Sequence, residues 1–191
     1  MLEIANYGPV IERMLWSESL AMRIMPLAPA APDEGEGLTL LRQSAINDLF
    51  GDQPPESPEF AECVRSALYL YFSALDESHR ISQDIPSGTG SLLHGVMHRQ
   101  EPDYSNAKYW FRRVGEHELF PTLRAEALGA NFHDKALHAE IESRPRWDPF
   151  WFVDQCERAA RGGPRTRDLE KIQQLEWQLV FDYSYRRAVS G

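Results

Sequence analysis

The segment from Ser57 to Leu75 most strongly restricts what this chain can fold into. Ser57 is a preferred N-cap residue and Pro58 suits the first helical position, so together they define the start of a helix. Apolar residues then recur with a period of 3.6, and the stretch ALYLYFSAL is apolar on nearly every side. Such a helix belongs where other elements surround it. The segment therefore predicts a helix at the centre of a bundle.

Similar signals recur along the chain. Asp148 and Pro149 repeat the cap and first-position pair, Asp103 can cap another helix, and Gly115 suits a helix end. The pattern predicts further helices over residues 9–25, 38–50, 91–100, 104–114, 121–128, 148–160 and 168–187. It predicts a polar connector over 76–90 and leaves 129–147 ambiguous, with a possible helical turn around 136–141. No convincing strand is found, so the fold class is predicted to be all-α, a helical bundle of about seven to eight helices.

Composition suggests two parts. Residues 26–37, with the sequence PLAPAAPDEGEG, are Pro-rich and acidic, which is typical of a mobile linker. We expect residues 1–50 to contain N-terminal helices with this linker, and residues 51–191 to form the main helical domain. A chain of 191 residues suits one domain with an appendage.

Charge and hydropathy exclude several classes of protein. The net charge of −9 argues against a nucleic-acid partner, which requires a basic surface. No apolar run approaches the roughly 20 residues of a membrane span, and no basic start precedes an apolar run as in a signal peptide. Cys63 and Cys156 are expected to be buried, reduced thiols. We expect a cytoplasmic protein that acts away from membranes, as a monomer or dimer.

The sequence SLLHGVMHRQEPDYSNAKYWFRRVGEH, residues 91–117, carries the chain's most distinctive pattern. The spacing of Gly95, Tyr104, Ala107 and Phe111 matches the small and aromatic packing positions of a tetratricopeptide-type (TPR-like) helical hairpin. Gly95 and Ala107 would let two helices approach closely, and Phe111 would fill the gap beside them. No second copy is found, and an array needs about three. The pattern therefore predicts one TPR-like hairpin within the bundle.

The same segment offers metal ligands. His94, His98 and Glu101 lie at i, i+4 and i+7, on one face of one predicted helix. Two imidazoles in HxxxH spacing can bind one ion, and a carboxylate one turn later can be a third ligand. No metal-binding triad is otherwise evident. The structural alternative is that the two imidazoles form hydrogen bonds with Asp103, Asn106 or backbone carbonyls.

The segment also suggests an anion site. Asn106, Trp110 and Arg113 share one helix face, and the glycine turn at 87–91 can present backbone N–H groups at a helix start. Three arginines can supply forked hydrogen bonds to a carboxylate or phosphate; these are Arg99, Arg112 and Arg113. In the structural alternative, the arginines pair with neighbouring acidic residues, namely Glu101, Asp103 and Glu116.

Two functions remain compatible with these sequence features. The first is a soluble ligand-binding or interaction module without a cofactor, whose partner is a small anionic molecule or a peptide. The second is a hydrolase that depends on a divalent metal such as zinc, held by His94, His98 and Glu101, with Asp103 or His79 as general base. The candidate ligand-binding residues are His79, His94, His98, Arg99, Glu101, Asp103, Asn106, Trp110, Arg112, Arg113 and His117.

Four stretches of this chain resemble an uncharacterised, mostly bacterial family of helical proteins. They are DESHRISQDI, HGVMHRQEPDYSNAKYWFRRVGEH, WDPFWFVDQCERA and QQLEWQLVFDYSYRRA. The resemblance covers roughly residues 57–188 and does not include the N-terminal 50 residues. It implies a helical fold and a candidate site, but no reaction. Leu93 departs from the pattern, because an aromatic residue is expected before the first histidine.

Overall fold

The computed structural model describes residues 7–16 and 23–190, and every regular element in these two ranges is helical. In chain order the ten α-helices are α1 (Pro9–Trp16), α2 (Glu36–Gln43), α3 (Pro58–Tyr71), α4 (Leu75–Ser82), α5 (Gly88–Gln100), α6 (Tyr104–Val114), α7 (Leu119–Gly129), α8 (Lys135–Glu142), α9 (Pro149–Ala160) and α10 (Thr166–Ser190). A short 3₁₀ helix, Asn47–Phe50, follows α2. The all-α fold class is confirmed. Ten helices exceed the seven to eight expected, because several are only eight residues long.

Three of the helix starts with side-chain caps lie where the sequence predicts them. Ser57 Oγ accepts a hydrogen bond from the backbone N–H of Phe60 at 3.5 Å. Asp103 accepts from the N–H of Asn106 at 3.1 Å. Asp148 accepts from the first-turn N–H groups of α9 at 3.0 and 3.1 Å. Each cap satisfies backbone donors that have no partner inside the helix.

Two predicted boundaries are wrong around the polar connector. Residues 76–82 of the predicted connector belong to α4, which packs against α3 and α5 instead of forming a loop. The glycine turn is the first turn of α5, which begins at Gly88 instead of Ser91. Ser87 is the N-cap, and its Oγ accepts from the N–H of Gly90 at 3.2 Å. Elsewhere, the helix expected over 38–50 is divided into α2 and the 3₁₀ helix, and α8 occupies part of the ambiguous stretch 129–147.

Helix α3 lies at the centre of the bundle and packs against α10 and α4. Its residues Ala67 and Leu68 have no exposed surface. Trp177 of α10 donates its indole N–H to the carbonyl oxygen of Ala67 at 2.7 Å, so the central contact is also hydrogen-bonded. On the other side, α5 packs along α6, and α6 packs against α9. Within residues 7–16 and 23–190, no helix is both long and apolar enough to cross a bilayer.

The described N-terminal residues share this hydrophobic core. Ile11 of α1 and Leu38 of α2 are fully buried in the same cluster as α3. The side-chain amide of Gln173 donates to the carbonyl oxygens of Met25 and Pro26 at 3.2 and 2.9 Å. The Pro-rich segment is therefore attached to the bundle at its N-terminal end. Of the helix predicted over 9–25, residues 17–22 lie outside the described residues.

Gly90 offers a test of the close packing at the start of α5. A Cβ atom at this position would lie 2.4 Å from Ile85 Cγ2 and 2.5 Å from its carbonyl oxygen. We expect Gly90→Ala to lower the free energy of unfolding by about 1–3 kcal/mol, because the backbone of Ile85 must shift. Gly129→Ala is the matched control, since nothing lies within 4 Å of the added atom. Urea unfolding measures the stability of both variants. Equal free energies of unfolding would contradict the described packing at Gly90.

Candidate functional site

Three histidines converge where α4 packs against α5. His79 comes from α4, and His94 and His98 lie one turn apart on α5. One ring nitrogen from each residue lies within 4.8 Å of the other two. His94 and His98 are almost fully buried, at 1% and 5% exposure, and His79 is partly exposed. His94 and His98 therefore form the buried part of the cluster, and His79 forms its solvent-exposed side.

The inner pair of imidazoles is in direct contact. The Nε2 atoms of His94 and His98 are 3.0 Å apart, which is hydrogen-bond distance. The ring centroids of His79 lie 4.7 Å from His94 and 5.4 Å from His98. The i, i+4 spacing on α5 brings the first two rings together, and the packing of α4 adds the third.

The outer nitrogen of each inner ring also has a partner. His94 Nδ1 lies 2.9 Å from Ser82 Oγ, and this hydroxyl lies 2.8 Å from the carbonyl oxygen of Ser78. His98 Nδ1 lies 3.0 Å from Glu101 Oε2. A carboxylate only accepts, so the proton of His98 belongs on Nδ1 and its Nε2 carries a lone pair.

Two proton arrangements then fit the pair. In the first, the Ser82 hydroxyl donates to His94 Nδ1, and His94 Nε2–H donates to His98 Nε2. In the second, Ser82 donates to the carbonyl of Ser78 and accepts from His94 Nδ1–H. Both Nε2 atoms then present lone pairs to each other. The Asn106 amide, 3.0 Å from His98 Nε2, donates to one of these lone pairs, and a cation between the two rings would take its place. The site is therefore compatible with a metal-free tautomer and with a metal-ligating tautomer.

Burial favours the neutral form of both inner rings. Desolvation, together with the smaller effects of the neighbouring His98 and His79, lowers the pKa of His94 to about 3. Desolvation also lowers the pKa of His98, although its hydrogen bond to Glu101 acts in the opposite direction. Metal ions bind neutral imidazole, so the inner pair has the protonation state that a ligand needs at neutral pH.

Helix α6 covers the cluster with the face that the sequence predicts. The Trp110 ring lies 4.0 Å from the His94 ring, tilted by 39°. Asn106 Nδ2 lies 3.0 Å from His98 Nε2. The guanidinium carbon of Arg113 lies 5.2 Å from the centroid of the Trp110 ring. An aromatic ring, an amide and an exposed cation therefore border the histidines.

The three arginines predicted to form a fork point to different places. Arg99 has no exposed surface and pairs with Glu176 of α10 inside the core. Arg112 is exposed and lines a separate cavity beside Trp147. Consecutive residues of a helix are about 100° apart, so Arg99 and His98 face different neighbours. The predicted fork is therefore not formed.

Two further candidate residues also lie apart from the histidines. Asp103 caps α6, and hydrogen bonds from the backbone of Asn106 lower the pKa of its carboxyl group. His117 lies at the opposite end of α5 from His98, where its Nε2 is 3.2 Å from Thr89 Oγ1. Burial lowers the pKa of His117. Thr89 and His98 are roughly 13 Å apart along the helix axis, so His117 belongs to a different polar group.

Sequence reasoning missed two contributions to the cluster. It assigns His79 the role of a binding residue or base, but not of a metal ligand, and it assigns no role to Ser82. Both lie on α4, whose composition is that of a polar connector. The signal that could have found them is their spacing, since residues three apart share one face of a helix.

No protein-family model, no curated protein and no solved structure matches this chain. The fold and the site define an all-α protein with a buried histidine cluster. Residue roles at this cluster therefore follow from its geometry and chemistry.

Proposed function

We propose that this protein binds one divalent transition metal ion, such as zinc, through His79, His94 and His98. The observation that carries the proposal is the approach of three imidazole nitrogens to within 4.8 Å of one another. Three protein ligands are typical of zinc sites that keep a fourth position for water or a ligand. The buried, neutral state of His94 and His98 supports the same assignment.

Small side-chain movements would complete the coordination. Tetrahedral zinc with bonds of 2.0–2.1 Å needs ligand nitrogens roughly 3.4 Å apart. The Nε2 atoms of His94 and His98, 3.0 Å apart, would separate by a few tenths of an ångström. His79, which is partly exposed, would move inwards. The Asn106 amide, 3.0 Å from His98 Nε2, would turn away from the ligand nitrogen. Rotation about side-chain bonds supplies movements of this size.

This ligand set differs from the one suggested by the sequence. Glu101 was the expected third ligand, but its carboxylate lies 3.0 Å from His98 Nδ1. There it orients the ring and increases its basicity, as carboxylates beside metal-bound histidines do. Ser82 has the corresponding position beside His94. In the proposal, His79 replaces Glu101 as ligand and Glu101 becomes a positioning residue.

The fourth position connects the metal with ligand binding. A small anion that ligates the metal would approach past Trp110, whose ring contacts His94, and Arg113, which is exposed. We propose this binding role ahead of hydrolysis. A hydrolase needs a general base beside the metal-bound water, but Asp103 caps α6 and His79 belongs to the ligand set.

We also propose a TPR-like hairpin and a class of partner for this protein. A TPR-like hairpin formed by α5 and α6 is supported by Gly95, where a Cβ atom would lie 3.1 Å from the Phe111 ring. Partners other than nucleic acid agree with the net charge of −9, and a cytoplasmic location stays a prediction. Membership of the uncharacterised helical family stays a prediction.

Cobalt titration of the full chain tests the metal site. After chelator treatment and dialysis, we expect one equivalent of Co²⁺ to bind and to give the absorption of a tetrahedral ion, which Zn²⁺ then displaces. His79→Ala, His94→Ala and His98→Ala should each abolish this stoichiometric signal. His117→Ala is the matched control, because it removes an imidazole outside the cluster, and it should retain the signal.

The positioning role of Glu101 has a separate readout. Its side chain is half exposed, so Glu101→Ala should fold normally while metal affinity falls by about 10–100-fold. Circular dichroism of each variant checks the fold. A wild-type chain that binds no Co²⁺, or an equal loss in the His117 variant, would overturn the proposal.

A further inference from the structure

A second cavity lies on the other side of α6, near the loop before α9. Its volume is about 500 Å³, which is within the range of small-molecule sites. Aromatic side chains form its walls, among them Phe120, Trp147 and Phe150. Three arginines, Arg112, Arg144 and Arg146, also line it. The cavity thus combines apolar walls with positive charge.

The charges around this cavity leave an excess of cations. Arg146 pairs with Glu116, but both side chains are at least three-quarters exposed, so this pair is weak. The carboxylate of Asp148 is engaged with the first turn of α9. Within residues 7–16 and 23–190, Arg112 forms no ion pair. A local excess of positive charge on a chain of net charge −9 favours an anion.

Trp147 adds a hydrogen-bond donor without a partner beside this cavity. Its side chain is only 3% exposed, yet its indole N–H has no acceptor among the described residues. Buried polar groups are nearly always paired, and an oxygen of a water molecule or of a ligand would supply the missing acceptor. Trp147 lines the cavity, but its indole nitrogen has almost no exposed surface, so a ligand oxygen would reach it after a small shift of the ring.

We propose that this cavity binds a small organic anion, in which a carboxylate or phosphate is attached to a flat apolar group. The flat group would pack against Phe120 and Trp147, and the oxyanion would pair with Arg112 and Arg146. This function is separate from the histidine cluster. Arg112, which belonged to the predicted anion site, here has a role away from Arg99 and Arg113.

Calorimetric titration of the full-length, chelator-treated and dialysed chain tests the proposal. The probes are phenyl phosphate and phenylacetate, with inorganic phosphate and benzyl alcohol as compounds that lack one of the two features. We expect saturable 1:1 binding of phenyl phosphate, phenylacetate or both. The probe that binds more tightly shows whether the site prefers a phosphate or a carboxylate. This probe should bind at least tenfold more tightly than inorganic phosphate or benzyl alcohol.

A pair of variants locates the binding. Arg112→Gln should weaken binding of the stronger probe by about tenfold or more, the loss expected for a hydrogen bond to a charged group. Arg158→Gln removes an exposed arginine from the last turn of α9 and should leave affinity unchanged. Because Arg112 is also exposed, neither variant should disturb folding. Absence of saturable binding by both anions, or equal losses in the two variants, would overturn the proposal.

Discussion

Replacing Arg99 with methionine should lower the free energy of unfolding by about 3–5 kcal/mol. The Arg99 side chain has no exposed surface, and Glu176, its ion-pair partner on α10, is 3% exposed. Removing the cation leaves a buried carboxylate without compensation, which is among the most costly single changes in a protein interior. For a chain of this size, the melting temperature should fall by roughly 6–20 °C. Thermal and urea unfolding measure both values.

The intact pair is itself incompletely satisfied. Arg99 Nε and Nη1 and Glu176 Oε1 have no hydrogen-bond partner among the described residues. Replacing both members with apolar side chains therefore removes a desolvation cost as well as an attraction. We expect the double variant Arg99→Met, Glu176→Leu to recover most of the stability lost in Arg99→Met. A double variant less stable than the single one would contradict this account.

Arg161 offers the matched control for the buried pair. It forms an ion pair with Glu157 one turn away, but its side chain is 76% exposed. Exposed pairs contribute about 0–1 kcal/mol, so Arg161→Met should change stability by no more than this. If Arg99→Met lowers the free energy of unfolding no more than Arg161→Met does, the burial of the Arg99–Glu176 pair does not determine its contribution to stability.

Local features of the fold could be predicted from the sequence. Ser57, Asp103 and Asp148 cap helices at the predicted positions, because capping depends only on residues within one turn. Helix α4 could not be predicted in this way. It has eight residues, too few for stability on its own. It depends on contacts with the neighbouring helices α3 and α5, such as Ser66 with Ser78 and Ser82 with His94, which join residues 12 positions apart and lie beyond the reach of capping signals.

The same difference between local signals and contacts between helices explains which parts of the histidine cluster could be predicted. The approach of His94 to His98 follows from i, i+4 spacing, so local sequence predicts it. The addition of His79 depends on how α4 packs. The burial of Arg99 in the core could not be predicted for another reason. Helix α5 is buried continuously from Thr89 to Gln100. A helix buried all round has no hydrophobic stripe to show which neighbour each side chain meets.

Acidification should reveal the buried imidazole of His94 in the metal-free protein. Between pH 6.5 and about pH 4.5, we expect His94 to lower the free energy of unfolding by about 2–3 kcal/mol. Its pKa is lowered to about 3 in the folded chain, against 6.5 for an exposed histidine. Within this window the unfolded chain binds a proton that the native chain excludes. Stability therefore rises with pH, and the contribution is lost as the pH falls below 6.5.

Comparison with His94→Gln isolates this contribution. The variant removes one titrating group, so its stability should depend on pH less steeply by about 1.4 kcal/mol per pH unit. Carboxyl groups with lowered pKa values, such as Asp168 at about 2, titrate below the window. Burial raises the pKa of Glu170 and gives the opposite slope, but equally in both proteins. Urea unfolding in chelator at several pH values measures the difference, and parallel curves would show that His94 is protonated inside the folded chain.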